Sequence, residues 1–138
     1  LQAQCDGVED YINLMGGIDV AIVGLGMNGH VGMNEPGTPP EEHSHVADID
    51  PMTQVVGQKY FKNERQLTKG LTLGLASLHA ASHIMLLANG TKKAAIIKKI
   101  FEHDASPQLP ATLLLNHKKI SIYLDKEAAS LITSDKNG

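Results

Sequence analysis

The densest run of residues able to do chemistry is Gly24-Leu25-Gly26-Met27-Asn28-Gly29-His30, continued by Val31-Gly32-Met33-Asn34-Glu35-Pro36. It presents one imidazole and one carboxylate five positions apart. A His and a Glu that share a site can exchange or relay protons near neutral pH, because the carboxylate orients the ring and stabilises its charged form. Such a pair suits the opening of a sugar ring or the proton shuffling of an aldose–ketose conversion. The plainer alternative stays open on these residues alone: His30 bonded to a backbone carbonyl, Glu35 a solvated loop residue. Gly26 and Gly29 let the backbone turn sharply and approach a ligand. With Gly24 they match G-x-G-x-x-G, but a Pro-containing loop follows where a dinucleotide site needs a long helix. No Gly-Lys-Ser/Thr completes a phosphate loop either.

A second candidate is Gly90-Thr91-Lys92-Lys93. A helix opening there would offer free N–H groups and a positive dipole end to an anion, with Lys93 in its first turn. The alternative is that Thr91 only caps the helix, while lysines 92, 93, 98 and 99 form a solvated face. His43-Ser44-His45 is a weak metal signal without a Cys or carboxylate cluster. His79, His83 and His103 read as structural or surface groups, and Cys5 as inert.

These residues need elements to hold them. Val8, Tyr11, Ile12 and Met15 give residues 7–15 an apolar helical stripe that calls for a sheet, ended by Gly16-Gly17. Residues 18–23 are β-branched and apolar on both faces, as in a central parallel strand. An aperiodic loop follows to about Asp50, long enough to be functional. Further on, the pattern predicts a helix over 52–61 weakened by Gly57, a polar connection over 63–70 and a strand over 71–74. A small helix over 75–80 and a strand over 82–88 come next. A strong helix over 92–103 buries Ile96, Ile97, Ile100 and Phe101, with Lys98, Lys99 and Glu102 outward. After Pro107 and Pro110, a short helix over 111–116, a strand over 120–124 and a helix over 126–131 complete the chain. Alternating strand and helix argue a three-layer, doubly wound α/β unit with a mostly parallel sheet, in a single domain that looks incomplete.

The chain has 138 residues, 42% hydrophobic and 20% charged, with 12 basic against 15 acidic side chains and a formal charge of −3. That excludes a disordered tail, a collagen-like chain and a disulfide-stapled miniprotein. Mild acidity gives no general attraction for nucleic acid or an anionic membrane. No apolar run approaches the ~20 residues that span a bilayer, and a single cysteine suits a reducing cytoplasm. The chain opens Leu1-Gln2-Ala3-Gln4, with neither Met nor the order of a signal peptide, and reads as part of something longer.

Gly16-Gly17-Ile18-Asp19, Gly24-x-Gly26-x-Asn28-Gly29-His30 and Asn34-Glu35-Pro36 together resemble the signature of the glucosamine-6-phosphate deaminases, or glucosamine/galactosamine-6-phosphate isomerases. The likeness continues through Tyr60-Phe61, Leu71-Thr72-Leu73-Gly74 and Gly90-Thr91-Lys92-Lys93-Ala94, and so covers about residues 16–124. The related 6-phosphogluconolactonases share the Gly-His step but follow it with a different run, so Asn34-Glu35-Pro36 favours the deaminase branch. The resemblance implies a doubly wound fold and a cofactor- and metal-independent reaction. An amino-sugar phosphate, of gluco or galacto configuration, is opened, isomerised and hydrolysed to ketose phosphate and ammonia. It makes His30 the ring-opening acid/base, Glu35 its carboxylate and Lys93 a phosphate ligand beside Thr91. Asn28 stands where many members have Asp and can orient His30 but not tune it as a charge. Lys59 stands where the typical member has a substrate-binding Arg, a swap that loses bidentate geometry. Glu42-His43-Ser44 replaces the Ser-Arg-Thr of the effector site in regulated hexameric members, so allosteric control is not expected, while homo-oligomers stay open. His117 matches a recurrent His to which no role is given. A lactonase-type hydrolase, with His30 activating water, and a non-catalytic sugar-phosphate sensor are the competing readings.

The resemblance places the base that moves the C2 proton, an Asp, and a Gly-rich phosphate loop before the part seen here, which makes this chain a C-terminal part. Asp6, Glu9 and Asp10, on a polar helix face, offer no substitute. Residues 1–138 alone are therefore expected to show no deaminase turnover, measured as ammonia release; turnover by this segment would overturn the assignment of roles.

Overall fold

The computed structural model describes residues 1–49, 51–63 and 67–132. Three largely apolar runs form a parallel sheet: β1 (Val20–Gly24), β4 (His83–Ala88) and β5 (Ile120–Leu124), in the order β1-β4-β5. β4 is therefore the central strand. Its register sets Val20 opposite His83, Gly24 opposite Leu87, and Met85 opposite Ser121. Between β1 and β4 the chain makes a separate antiparallel pair from β2 (His45–Asp48) and β3 (Lys69–Thr72). The helices are α1 (Gln2–Leu14), α2 (Pro51–Gly57), α3 (Leu75–His79), α4 (Ala94–Glu102) and α5 (Ala111–Leu115). Single 3₁₀ turns occupy Gln58–Tyr60 and Thr91–Lys93.

One face of the sheet carries the core. Ala21, Val23, Ile84, Leu86 and Ala88 point to it, alternating along their strands as a pleat requires. They meet Leu75 and Leu78 of α3, Ile96, Ile97 and Ile100 of α4, and Ala111 and Leu114 of α5. On the other face Val20, Ile22 (68% exposed), Leu87 and Tyr123 stand in the open. So the parallel α/β fold is as expected, while the strand expected to be central and buried on both faces has one neighbour and one bare face among the described residues.

Other expectations shift for physical reasons. α1 begins five residues before Gly7, and the stripe of Val8, Tyr11 and Met15 lies exposed. The helix docks instead through a face at i, i+4, i+7: buried Cys5, half-buried Glu9 and half-buried Ile12. Glu9, expected on a polar face, is thus the anchor, and Cys5 lies inside the helix rather than before it. β2 interrupts the supposed loop to Asp50, itself outside the described residues; four residues with His45 and Asp48 in them show no usable period. The strand expected at 71–74 lies at 69–72 and joins this side pair, not the parallel sheet. Of the connection 63–70, positions 64–66 lie outside the described residues. The helix over 92–103 divides into the 3₁₀ turn and α4, and Phe101 is 48% exposed rather than inward. Residues 126–132 form turns, not a helix: after Ala129 N–H to Asp125 O, the following bonds, Ser130 N–H to Glu127 O and Ile132 N–H to Ala129 O, span only three residues.

His117 proves structural. It is buried, with Nε2 2.8 Å from Ala81 O and Nδ1 accepting from Lys119 N–H at 2.9 Å, so it joins the connections before β4 and β5. His79 meets its ring edge-on, with centroids 5.1 Å apart. His83 Nε2 lies 2.8 Å from Ser121 Oγ across the open face, and His103 Nδ1 caps Lys99 O at 2.8 Å.

Glu9 closes the account of α1. Its Oε1 accepts from Ser44 N–H at 2.9 Å, from Ser77 Oγ–H at 2.5 Å and from the Ser44 hydroxyl, while Oε2 lies 3.6 Å from His43 Nδ1. Burial pushes this carboxyl up, but the two serine hydroxyls, the Ser44 amide and His43 outweigh it and hold it below the ordinary range. A depressed folded-state pKa contributes stability that is full above the unfolded value, roughly pH 4.3, and is lost as pH falls through the folded value. Glu9→Gln should therefore cost about 1–3 kcal/mol at pH 7, and much less near pH 3, in urea unfolding followed across pH. A cost that does not shrink on acidification would show that the ionised form is not what holds α1.

Candidate functional site

β1 ends at Gly24, and the chain turns at the carboxyl edge of the parallel sheet, where α/β folds hold ligands. Gly26 N–H donates to His30 O at 2.8 Å and Gly29 N–H to Gly26 O at 3.0 Å, closing a compact loop. Gly29 takes φ +85°, and a Cβ there would also meet Leu109 Cδ1, so glycine is required twice over. Gly29 O accepts from Ala111 N–H at 3.0 Å, which fastens the loop to the start of α5. A Cβ built on Gly26 would overlap Cε1, Nδ1 and Nε2 of the His30 ring. The imidazole thus lies directly on the bare backbone of Gly26.

That ring faces two partners. His30 Nδ1 is 2.6 Å from Asn28 Oδ1 and 3.3 Å from Glu35 Oε1. Asn28 Nδ2 donates to Glu35 Oε2 at 2.7 Å, and Asn28 Oδ1 also accepts from His30 N–H at 3.1 Å. The Asn28 amide therefore bridges imidazole and carboxylate, its oxygen to one and its nitrogen to the other. With a proton on Nδ1 directed at Asn28 and Glu35, the Nε2 lone pair is left for a substrate, and no partner meets it among the described residues. Both side chains are partly open, His30 at 26% and Glu35 at 33% exposure. Behind Glu35, Thr38 donates twice to Glu35 O, from N–H at 2.9 Å and from Oγ1 at 2.8 Å, and Gly37 N–H donates to Pro107 O at 2.8 Å.

Lys93 comes to the same edge from 68 positions away: its ammonium donates to Leu25 O at 2.5 Å, one residue before Gly26. It is half-buried, whereas Lys92 is exposed. Thr91 does not cap. Gly90, with φ +85°, stands before the 3₁₀ turn and no side chain caps it, because a one-turn 3₁₀ start leaves Thr91 inside the element. Gly90 N–H donates instead to Asp125, 3.0 and 2.9 Å from its two oxygens. Lys59 lies exposed on the 3₁₀ turn Gln58–Tyr60, an element apart from the loop. The structure thus gathers His30, Asn28, Glu35, Gly26, Gly29 and Lys93 in one place. The sequence placed Asn34 in the Asn34-Glu35-Pro36 motif but gave it no role of its own; it is wholly buried behind the loop, between two candidate catalytic positions. His43 and His45 face Glu9, Ser77 and a backbone carbonyl, and no set of three metal-ligating side chains converges among the described residues.

Residues 2–123 match the family described as glucosamine-6-phosphate isomerases/6-phosphogluconolactonase. A glucosamine-6-phosphate deaminase of Geobacillus sp. (strain WCH70) is 36% identical over 137 residues, 99% of this chain and 55% of that protein. The Staphylococcus aureus (strain JH9) enzyme of the same name is 40% identical over 129 residues, 93% of this chain and 51% of the relative. The chain therefore spans about half the length of the curated relatives it matches. Among solved structures, a monomeric glucosamine-6-phosphate deaminase superposes with a TM-score of 0.87 at 34% identity, over 95% of this chain and 55% of that one. A 6-phosphogluconolactonase from Trypanosoma cruzi gives 0.70 at 23% identity, over 94% and 51%, a likeness of fold.

The loop geometry predicts different outcomes for two glycines. Gly26→Ala meets the movable His30 ring first, so it should leave the melting temperature within a few degrees of wild type while swinging the imidazole away from Asn28. Gly74→Ala would drive a Cβ into the backbone oxygens of Glu42 and His43, which cannot step aside, and should lower the melting temperature strongly. Thermal unfolding together with the NMR shifts of the His30 ring distinguishes the two; an undisturbed ring in Gly26→Ala would refute the contact.

Proposed function

Because this chain belongs to the family of glucosamine-6-phosphate isomerases and 6-phosphogluconolactonases, we propose that it carries the ring-opening half of an amino-sugar-phosphate deaminase. The observation that carries this reading is the Asn28-bridged pair of His30 and Glu35, with Nε2 of the imidazole left free. Nε2 takes the proton of the anomeric hydroxyl and returns a proton to the ring oxygen as the C1–O5 bond breaks and the aldehyde forms. Glu35 stabilises the imidazolium in between, and Asn28 holds the tautomer that keeps Nε2 outward. Transfer of the C2 proton to C1, with a proton passing from the amine to O1, leaves an imine at C2, and water adds there to release ammonia and the ketose phosphate. None of residues 1–138 is assigned as the base for that second transfer.

Lys93 and the N–H groups of the turn after Gly90 take the phosphate. The ammonium uses one donor on Leu25 O and keeps two, so the same side chain touches both the phosphate and the loop that carries His30. Thr91, Gly26 and Gly29 are assigned to substrate binding with Lys93, and Lys59 by its place in the family pattern. Relatives named as deaminases at 36–40% identity favour deamination over lactone hydrolysis. A cytoplasmic setting accords with Cys5, a buried free thiol, and no described helix is long and apolar enough to cross a membrane.

Ammonia release from glucosamine-6-phosphate by the whole protein, set against hydrolysis of a phosphogluconolactone, tests the reading; lactone hydrolysis alone, or binding without turnover, would replace it. His30→Gln and Glu35→Gln should each lower kcat by about 10²–10⁴-fold, with far less effect on KM and a smaller loss on an open-chain substrate. Equal losses on an analogue that cannot cyclise would remove the ring-opening role. Lys93→Ala should raise KM about ten- to a hundredfold, by removing a charge-assisted bond of roughly 1.5–3 kcal/mol, and Lys92→Ala hardly at all. An effect that persists on the unphosphorylated amino sugar would show that Lys93 serves only the loop.

A further inference from the structure

We propose that Asn34 is the positioning residue of the proton-handling pair: its amide ties the turn between His30 and Glu35 to the end of β3, and so sets how far apart the two side chains stand. The kinetic consequence rests on the ring-opening reading above; the positioning itself does not. His30 and Glu35 are separated by Val31-Gly32-Met33-Asn34. Asn34 N–H donates to Val31 O at 3.0 Å, closing these four residues into a tight turn, with Gly32 at φ +62°. Such a turn bonded only to itself would be free to tilt, carrying His30 and Glu35 with it.

The Asn34 side chain prevents this. It is 0% exposed, and its Nδ2 donates both across the turn, to Val31 O at 2.9 Å, and away from it, to Leu73 O at 2.8 Å. Leu73 follows directly on β3, 39 positions along the chain. Thr72 makes the joint double: its hydroxyl oxygen accepts from Met33 N–H at 3.2 Å and donates to Leu73 O at 3.1 Å. A Cβ on Gly32 would stand 2.8 Å from that hydroxyl, so turn and strand end meet without slack. Both groups that face Nδ2 are carbonyls, and only a donor fits between them. The other amide atom, Oδ1, is buried with no partner among the described residues, a burial cost that an apolar side chain would avoid. What an apolar residue could not do is hold Val31 and Leu73 together.

The test couples Asn34 to the pair it is held to position. Ring-nitrogen NMR shifts of His30 are compared in the whole protein for wild type, Glu35→Gln, Asn34→Ala and the double variant. Glu35→Gln should shift Nδ1 in the native background and lose most of that effect beside Asn34→Ala; equal shifts in both backgrounds overturn the proposal. Thr72→Val, which removes the acceptor of Met33 N–H while keeping the shape, should weaken the coupling in the same direction, and it serves if Asn34→Ala fails to fold. In ammonia-release assays Asn34→Ala should lower kcat about 10- to 100-fold while KM moves less than about threefold. A matching rise in KM without loss of kcat would assign Asn34 to substrate binding instead. The NMR measurement needs no substrate, so a wild-type protein that releases no ammonia refutes the proposed function while the coupling still decides for or against Asn34.

Discussion

β1 and β4 run side by side with Gly24 opposite Leu87, so the two strands end at one level. Everything chemical in this chain hangs on that pairing. It delivers Leu25 and the glycine loop to one side of the sheet's carboxyl edge, and the turn that carries Lys93 to the other. Two segments 68 residues apart then meet through one ammonium and one carbonyl. A slip of β4 by one residue would turn its buried face outward, exposing Ile84 and Leu86, and the cost of that exposure fixes the register. The core thus locates the site, and Leu25, itself a core residue, supplies the carbonyl that meets Lys93.

At that edge, polar groups do the holding that apolar packing does elsewhere. Asn28 has an acceptor for the imidazole and a donor for the carboxylate, a division that an Asp in its place could not make. Around it the loop's backbone groups are engaged one by one: Gly29 O by α5, Glu35 O by Thr38, and the next turn by Asn34 and Thr72. A loop tied at this many points fixes how His30 and Glu35 stand to each other, the preorganisation on which their proposed acid–base roles draw.

The two faces of the sheet and the first helix show a different balance. One face is filled by α3, α4 and α5; the other presents Val20, Ile22, Leu87 and Tyr123 bare. α1 adds Tyr11, Leu14 and Met15 to the exposed apolar surface and is held by Cys5, Ile12 and the donors around Glu9. Its attachment is therefore as much electrostatic as hydrophobic, and through Glu9 it weakens in acid.

The sequence by itself determined the parallel α/β class, three strands read at residues 18–23, 82–88 and 120–124, the buried stripe of Ile96, Ile97 and Ile100, and the loop holding His30 and Glu35. All of these are local: hydrophobic period, turn residues and motif spacing act over a few positions and survive without knowledge of partners. Tertiary structure alone decided that β2 exists and pairs with β3, that α1 docks on Glu9 rather than on its apolar stripe, that Phe101 faces solvent, and that Asn34 and Lys93 reach Leu73 and Leu25. Each of these depends on contacts between segments 21–68 residues apart or on which neighbour fills a face. A residue's type states what bonds it can make; only the packed chain settles where the partner stands.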